Sequence, residues 1–146
     1  MSEIVYQGTS ALALDAKGRL TVPVRQRDLL MQACEGRLTL TKHPEGYLWM
    51  LPRPRWEVTR ERLLGMSMEA DAWRRVFIGS AVDVEIDAAA RILVPPELRQ
   101  FAGLRKDVLL IGNGRVLELW DAANHSATEA RLLAQPMPAE VRSLVL

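Results

Sequence analysis

Polar and apolar positions alternate in two stretches of this chain, and the two stretches lie 72 residues apart. In residues 11–14, Leu12 and Leu14 share a face, and Leu20 and Val22 then alternate with Arg19 and Thr21. This spacing predicts two short strands joined by Asp15-Ala16-Lys17-Gly18, with Gly18 free to take the positive φ such turns demand. Val82, Val84 and Ile86 alternate with Asp83, Glu85 and Asp87, and Ile92 and Val94 resume the pattern, so the same strand-turn-strand unit is expected again. Each unit runs into proline. Pro23 and Pro96 both suit the first position of a helix, where a missing N–H costs nothing, and Leu98 with Phe101 would form the second helix's inward stripe. Apolar runs on either side of Pro44-Glu45-Gly46 and of Gly112-Asn113-Gly114 predict two further strands per unit. Residues 56–77 read as helix with a possible break at Gly65, and a last helix is expected over Ala122–Leu133. Beyond Pro136 and Pro138 the tail is expected to be disordered or docked on a neighbouring molecule.

The repetition extends to charge. Asp15 and Arg19 recur as Asp87 and Arg91, each pair followed by an apolar-X-apolar-Pro run and a later arginine, Arg27 or Arg99. Such an internal duplication points to two like units that bury their faces together. The Asp-x-x-x-Arg turn admits two readings: a structural ion pair that holds a hairpin, or an arginine oriented to meet a phosphate or a guanine edge. The copies differ in charge. Residues 15–27 set Lys17, Arg19, Arg25 and Arg27 against Asp15, a net of +3, whereas residues 87–99 set Arg91 and Arg99 against Asp87 and Glu97, a net of zero. A polyanion-binding surface concentrates cations. Asp15, Lys17, Gly18, Arg19, Arg25 and Arg27 are therefore the first candidates for contact with DNA, and Asp87 and Arg91 the weaker second set. Ala90 stands where the first turn has Gly18, so the second turn is either strained or differently shaped, and Gln26 stands where the second helix has Leu98.

Composition narrows the field. A chain of 146 residues suits one compact domain or two small halves sharing a core, and its net charge of +1 leaves nucleic-acid binding to local patches multiplied over subunits. Cys34, the single cysteine, is expected to be a buried, reduced thiol. His43 and His125 are isolated in the sequence, with no metal-ligand spacing, and there is no Gly-rich phosphate loop or nucleophile elbow. No catalytic role, cofactor or metal is expected. The basic run Arg53, Arg55, Arg60, Arg62, Arg74 and Arg75, interleaved with Glu57, Glu61, Glu69 and Asp71, reads as solvated helix faces, with a secondary phosphate-contact zone as the alternative. The start of the chain has no signal-peptide pattern and no apolar run is long enough for a membrane helix, so a cytosolic location is expected.

Leu14-Asp15-Ala16-Lys17-Gly18-Arg19-Leu20-Thr21-Val22-Pro23 resembles the signature of the MraZ family of bacterial transcriptional regulators. Tyr6-Gln7-Gly8, Gly46-Tyr47-Leu48, Trp56-Glu57, the segment 75–81, the segment 95–104 and Glu118-Leu119-Trp120-Asp121 follow the family's order, so the resemblance covers residues 5 to 125. It implies a mixed α+β, mainly β fold: two tandem swapped-hairpin SpoVT/AbrB-type units forming one intramolecular pseudo-dimeric barrel. The implied division is unit one over residues 5–52, a helical linker over 53–80, unit two over 81–124, and a C-terminal helix and tail over 125–146. It further implies ring-shaped homo-oligomers that bind double-stranded promoter DNA at short direct repeats upstream of the family's own gene. That gene opens a cluster for division and cell-wall synthesis, so autoregulation of the cluster and a nucleoid-associated location follow. The family's DNA-binding motif falls on Asp15 and Arg19 and again on Asp87 and Arg91; Ala90 for the usual glycine and Gln26 for the usual aromatic are departures. A protein-interaction scaffold or antitoxin-like module with the same fold is the competing reading.

Overall fold

The computed structural model describes residues 4–145. In chain order the elements of the first half are β1 (Tyr6–Ala13), β2 (Arg19–Thr21), α1 (Val24–Cys34), β3 (Arg37–Lys42), β4 (Leu48–Pro52) and α2 (Arg53–Leu64). A single turn of tight helix at Met68–Ala70 and α3 (Asp71–Gly79) connect this half to the second. The second half has β5 (Val82–Glu85), β6 (Arg91–Leu93), α4 (Pro96–Ala102), β7 (Asp107–Gly114), β8 (Val116–Asp121) and α5 (Ala122–Leu133), and α6 (Ala139–Val145) ends the described chain. The fold is thus mixed α+β, mainly sheet, with the element order repeated.

The repeated units do not stand side by side. The six-stranded sheet runs β1-β7-β8-β4-β3-β5, so the first strand of each half pairs with the third strand of the other. Two hairpins, β3–β4 and β7–β8, meet along the β4–β8 seam. β1 and β5 are open edges, and β2 pairs only with β6 in a separate two-stranded ladder, so the expected closed barrel is replaced by an open sheet with a ribbon over it. The expected hairpins are also corrected. β1 and β2 share a single bridge, Leu14 to Leu20, because the turn between them carries the chain out of the sheet into the ribbon.

The core explains this arrangement. Leu38, Leu40, Leu48, Met50, Leu110, Leu117 and Leu119 line one face of the sheet, and Leu20, Val22, Leu30, Ile92, Val94 and Leu98 cover it from the ribbon, α1 and α4. The other face packs Leu51 with Trp56 and Leu63, joined by Trp49, Phe77, Ile78 and Val116. β3 is therefore buried on both faces. Its two buried polar side chains are satisfied: Thr39 Oγ1 donates to Asp83 Oδ1 at 2.8 Å and Thr41 Oγ1 to the Phe77 carbonyl at 2.6 Å.

Several local expectations shift by small, explicable amounts. Pro23 caps α1 from just outside, matching Pro95, while Pro96 holds the first helical position of α4. Leu98 points inward as expected, but its partner is Ala102 at four residues' spacing; Phe101 is 39% exposed and carries Lys42 Nζ 5.2 Å from its ring centre. Gln26 is buried at 5% exposure in the place of Leu98. The linker helix does break at Gly65, and the tail beyond Pro138 forms α6 with no buried residue.

Candidate functional site

The two Asp-x-x-x-Arg turns have the same shape. Asp15 Oδ1 accepts from the backbone N–H of Lys17 at 2.9 Å and of Arg19 at 2.8 Å, and Gly18 N–H closes the turn on the Asp15 carbonyl at 3.0 Å. Asp87 Oδ1 accepts from Ala89 and Arg91 N–H, each at 2.9 Å, and Ala90 N–H closes on the Asp87 carbonyl at 2.9 Å. Of the two outcomes left open for Ala90, the structure selects strain: it adopts φ 65° where Gly18 has φ 81°. The backbone N–H of Arg19, first, then the Arg19 side chain and the Lys17 N–H hold the Asp15 carboxyl below its usual range. For Asp87 the leading cause is the Arg91 N–H, with Ala89 N–H and the Arg91 charge behind it.

The arginines are held differently. Arg19 Nε donates to Asp15 Oδ2 at 2.7 Å, whereas Arg91 Nε stands 3.5 Å from Asp87 Oδ2 and, though buried, has no hydrogen-bond partner. Both arginine side chains are partly exposed.

What the sequence did not show is that these turns form one surface. In the ribbon Arg19 faces Leu93, Leu20 faces Ile92, and Thr21 faces Arg91. Leu20 and Ile92 are buried, at 0% and 1% exposure, so their neighbours Arg19, Thr21, Arg91 and Leu93 share the opposite, outward face. Two reciprocal bonds lock the turns together: Val94 N–H to the Gly18 carbonyl at 2.9 Å and Val22 N–H to the Ala90 carbonyl at 2.8 Å.

This crossing also redistributes the charges. Val22 is bonded to the second turn, so α1, with exposed Arg25 and partly buried Arg27, starts beside Asp87 and Arg91 rather than beside Asp15. Arg99 of the second half reaches the first turn instead. A side-chain carbon on Gly18 would lie 2.5 Å from its Cζ, and its Nε donates to the Val94 carbonyl at 2.9 Å. Arg99 was missed as a neighbour of the first turn; its recurrence as Arg27 was the available signal. Arg27, its counterpart, stands 3.8 Å from Asp28.

Two arginines of the basic run and both histidines make contacts within the fold. Arg53 donates to the Leu38 and Val84 carbonyls at 2.9 and 3.2 Å, and Arg74 Nη1 caps the end of α2 through the Leu63 and Met66 carbonyls. The histidines, isolated in sequence, join one aromatic series: His43 stacks on Tyr47 at 4.3 Å, Tyr47 on Trp120 at 4.6 Å, and Trp120 meets His125 edge-on at 5.2 Å. Burial holds His43 below its usual value. Glu118 anchors the series, accepting from Trp120 Nε1 at 2.8 Å and Asn113 Nδ2 at 2.9 Å. Among the described residues no three His, Cys, Asp or Glu groups converge as a metal site would require, and no helix is long and apolar enough to cross a membrane. Cys34 is buried, its thiol donating to the Leu30 carbonyl at 3.2 Å.

Comparison with known proteins follows the same duplication. A family model described as "MraZ protein, putative antitoxin-like" matches twice in succession, over residues 5–76 and 77–145. A protein of Methylibium petroleiphilum named transcriptional regulator MraZ is 56% identical over 138 residues, 94% of each chain. The protein of that name from Leptothrix cholodnii is also 56% identical over 138 residues, and one from Burkholderia mallei is 52% identical over 139 residues, 95% of this chain and 98% of its own.

Proposed function

The chain belongs to the MraZ family, and from that premise we propose that it is a sequence-specific DNA-binding transcription regulator whose contact surface is the outward face of the β2–β6 ribbon. The observation that carries the reading is the joining of two arginines, each beside the aspartate of its own turn, on one exposed ribbon. A B-DNA major groove, about 12 Å wide, admits a two-stranded ribbon, and an arginine reads guanine O6 and N7 with two donors. Asp15 engages Nε of Arg19, which leaves the terminal nitrogens for the base edge. Lys17 in the first turn, with Arg25 and Arg27 at the start of α1 and Arg99 against Gly18, supplies charge for phosphates on both sides of the ribbon. In this reading the halves are SpoVT/AbrB-type swapped-hairpin units, as the exchange of first strands supports. Copies of the chain assemble into a ring that places successive ribbons on direct repeats upstream of its own division and cell-wall cluster, in the cytoplasm at the nucleoid.

The test is a mobility shift on the gene's own promoter in a salt series. Arg19→Ala is expected to weaken binding by about 5- to 150-fold, since a bidentate arginine–guanine contact contributes about 1–3 kcal/mol. Lys17→Ala should instead lower the salt slope by about one. Full affinity and an unchanged slope in both variants would remove the ribbon from the DNA. The scaffold or antitoxin-like reading is favoured by one observation, the exposed apolar residues of the helical segments, Met68 at 88% and Leu144 at 86%. Absence of salt-dependent binding to the promoter, in the wild type as in Arg19→Ala, would favour it.

A further inference from the structure

Between the two arginines the outward face of the ribbon carries Thr21 and Leu93, and Leu93 is 53% exposed. It lies directly across from Arg19, while the ribbon's inward residues, Leu20 and Ile92, do the packing. A leucine on a solvent-facing strand position between two cations adds little to the core and keeps apolar surface in water. On the surface assigned above to DNA it has a chemical counterpart. Thymine alone presents a methyl group in the major groove, whereas the other bases place amines, carbonyls or ring nitrogens there, which leucine cannot satisfy.

Resting on the DNA-binding reading, we propose that Leu93 is a specificity-determining residue that packs on the C5-methyl of a thymine next to the base pair read by Arg19. The ribbon's pseudo-two-fold exchanges Arg19 with Arg91 and Thr21 with Leu93. Arg19 and Arg91 are the same residue type under that exchange, so either can read a guanine, although Arg19 Nε is bonded to Asp15 and Arg91 Nε has no hydrogen-bond partner. Thr21 and Leu93 are not alike. Threonine carries a methyl and a hydroxyl and tolerates several base edges, while leucine offers only apolar surface, so the subunit lies on its site in one direction. The element that reads polarity is therefore the residue pair between the arginines.

The experiment uses the full-length protein and its promoter duplex, with each thymine of the bound site replaced in turn by deoxyuridine, which removes the methyl and keeps the hydrogen-bonding edge. At one thymine the wild-type protein should lose about fourfold in affinity, the size expected for burying one methyl group. Leu93→Ala should bind about as much more weakly and lose nothing further at that deoxyuridine, with its salt slope and melting temperature unchanged. Thr21→Leu should create a second methyl-sensitive thymine at the mirrored position. If Arg19→Ala abolishes binding but no thymine methyl matters, or the deoxyuridine loss persists in Leu93→Ala, the proposal for Leu93 is overturned while the DNA surface stands. If Arg19→Ala binds as well as wild type, the DNA surface falls and this proposal with it.

Discussion

Gly18 and Ala90 occupy matching places in two turns of one shape, yet their surroundings give them different tasks. Gly18 has φ 81° and leaves its open side to the Arg99 guanidinium, while Ala90 at φ 65° fills that space with a methyl group that is 8% exposed. A left-handed alanine costs about 1–2 kcal/mol. In Ala90→Gly the relief is offset by loss of the buried methyl, about 0.8 kcal/mol, and by the freer unfolded chain, about 0.4–1 kcal/mol. The net change should stay within about 1 kcal/mol. Gly18→Ala gains the stiffer unfolded chain, about 0.4–1 kcal/mol, but adds the left-handed strain of about 1–2 kcal/mol and must also displace Arg99, so it should cost about 1 kcal/mol or more. Urea unfolding of both variants checks this; a Gly18→Ala cost no larger than the Ala90→Gly change would mean the glycine is dispensable. The two aspartates make a second prediction. Their carboxyls are lowered in the folded chain from an ordinary value of 3.8, so the stability they contribute is fully present above that value. It is lost as pH falls through the lowered folded values. Urea midpoints should be flat in this respect down to about pH 5 and decline below it, and Asp15→Asn with Asp87→Asn should flatten that decline.

At the scale of elements, the ribbon is where stability and the candidate surface separate by face. Leu20 and Ile92 lie at 0% and 1% exposure in the main core, so truncating either to alanine should cost about 2–5 kcal/mol, measured by denaturant unfolding. Costs below about 1 kcal/mol would show that the ribbon is not packed on the sheet as described. Much of this was legible in the sequence, because alternation says which residues share a face: Leu20 with Val22 against Arg19 with Thr21, and Leu38 with Leu40 against Thr39 with Thr41. Alternation does not name a strand's partner. A short loop favours a hairpin, and the chain instead sends β2 to β6 and β1 to β7, since only that exchange buries both halves' apolar faces in one core. Helix α4 failed at Phe101 for a related reason: seven residues are too few for periodicity to separate a stripe at three residues from one at four, and the core takes Leu98 and Ala102. The candidate site was legible as residues and illegible as a surface.

At the scale of the whole molecule, charge summed along the chain misleads because the halves cross. Arg25 and Arg27, two of the four cations that made the first copy look basic, belong to a helix that starts beside the second turn, and Arg99 comes to the first. One chain with net charge +1 and one ribbon offers few contacts, so tight binding in the proposed reading must come from several copies on adjacent repeats. Affinity should rise by about 10²–10⁴ between a duplex with one repeat and one with several, and collapse when the spacing between repeats is changed by half a helical turn. The tail should be separable from folding in the same experiment. All of α6 is exposed, and Leu132 and Leu133 at the end of α5 are 64% and 77% exposed, so a chain ending at Ala134 loses no core contact. Its melting temperature should stay within about 2 °C of the full-length value, since about 1 kcal/mol corresponds to 2–4 °C in a chain of this size. A truncated protein that melts normally, binds one repeat as before and loses only the multi-repeat gain would place the joint between copies in the tail. One that keeps the gain would place it on the body of the fold.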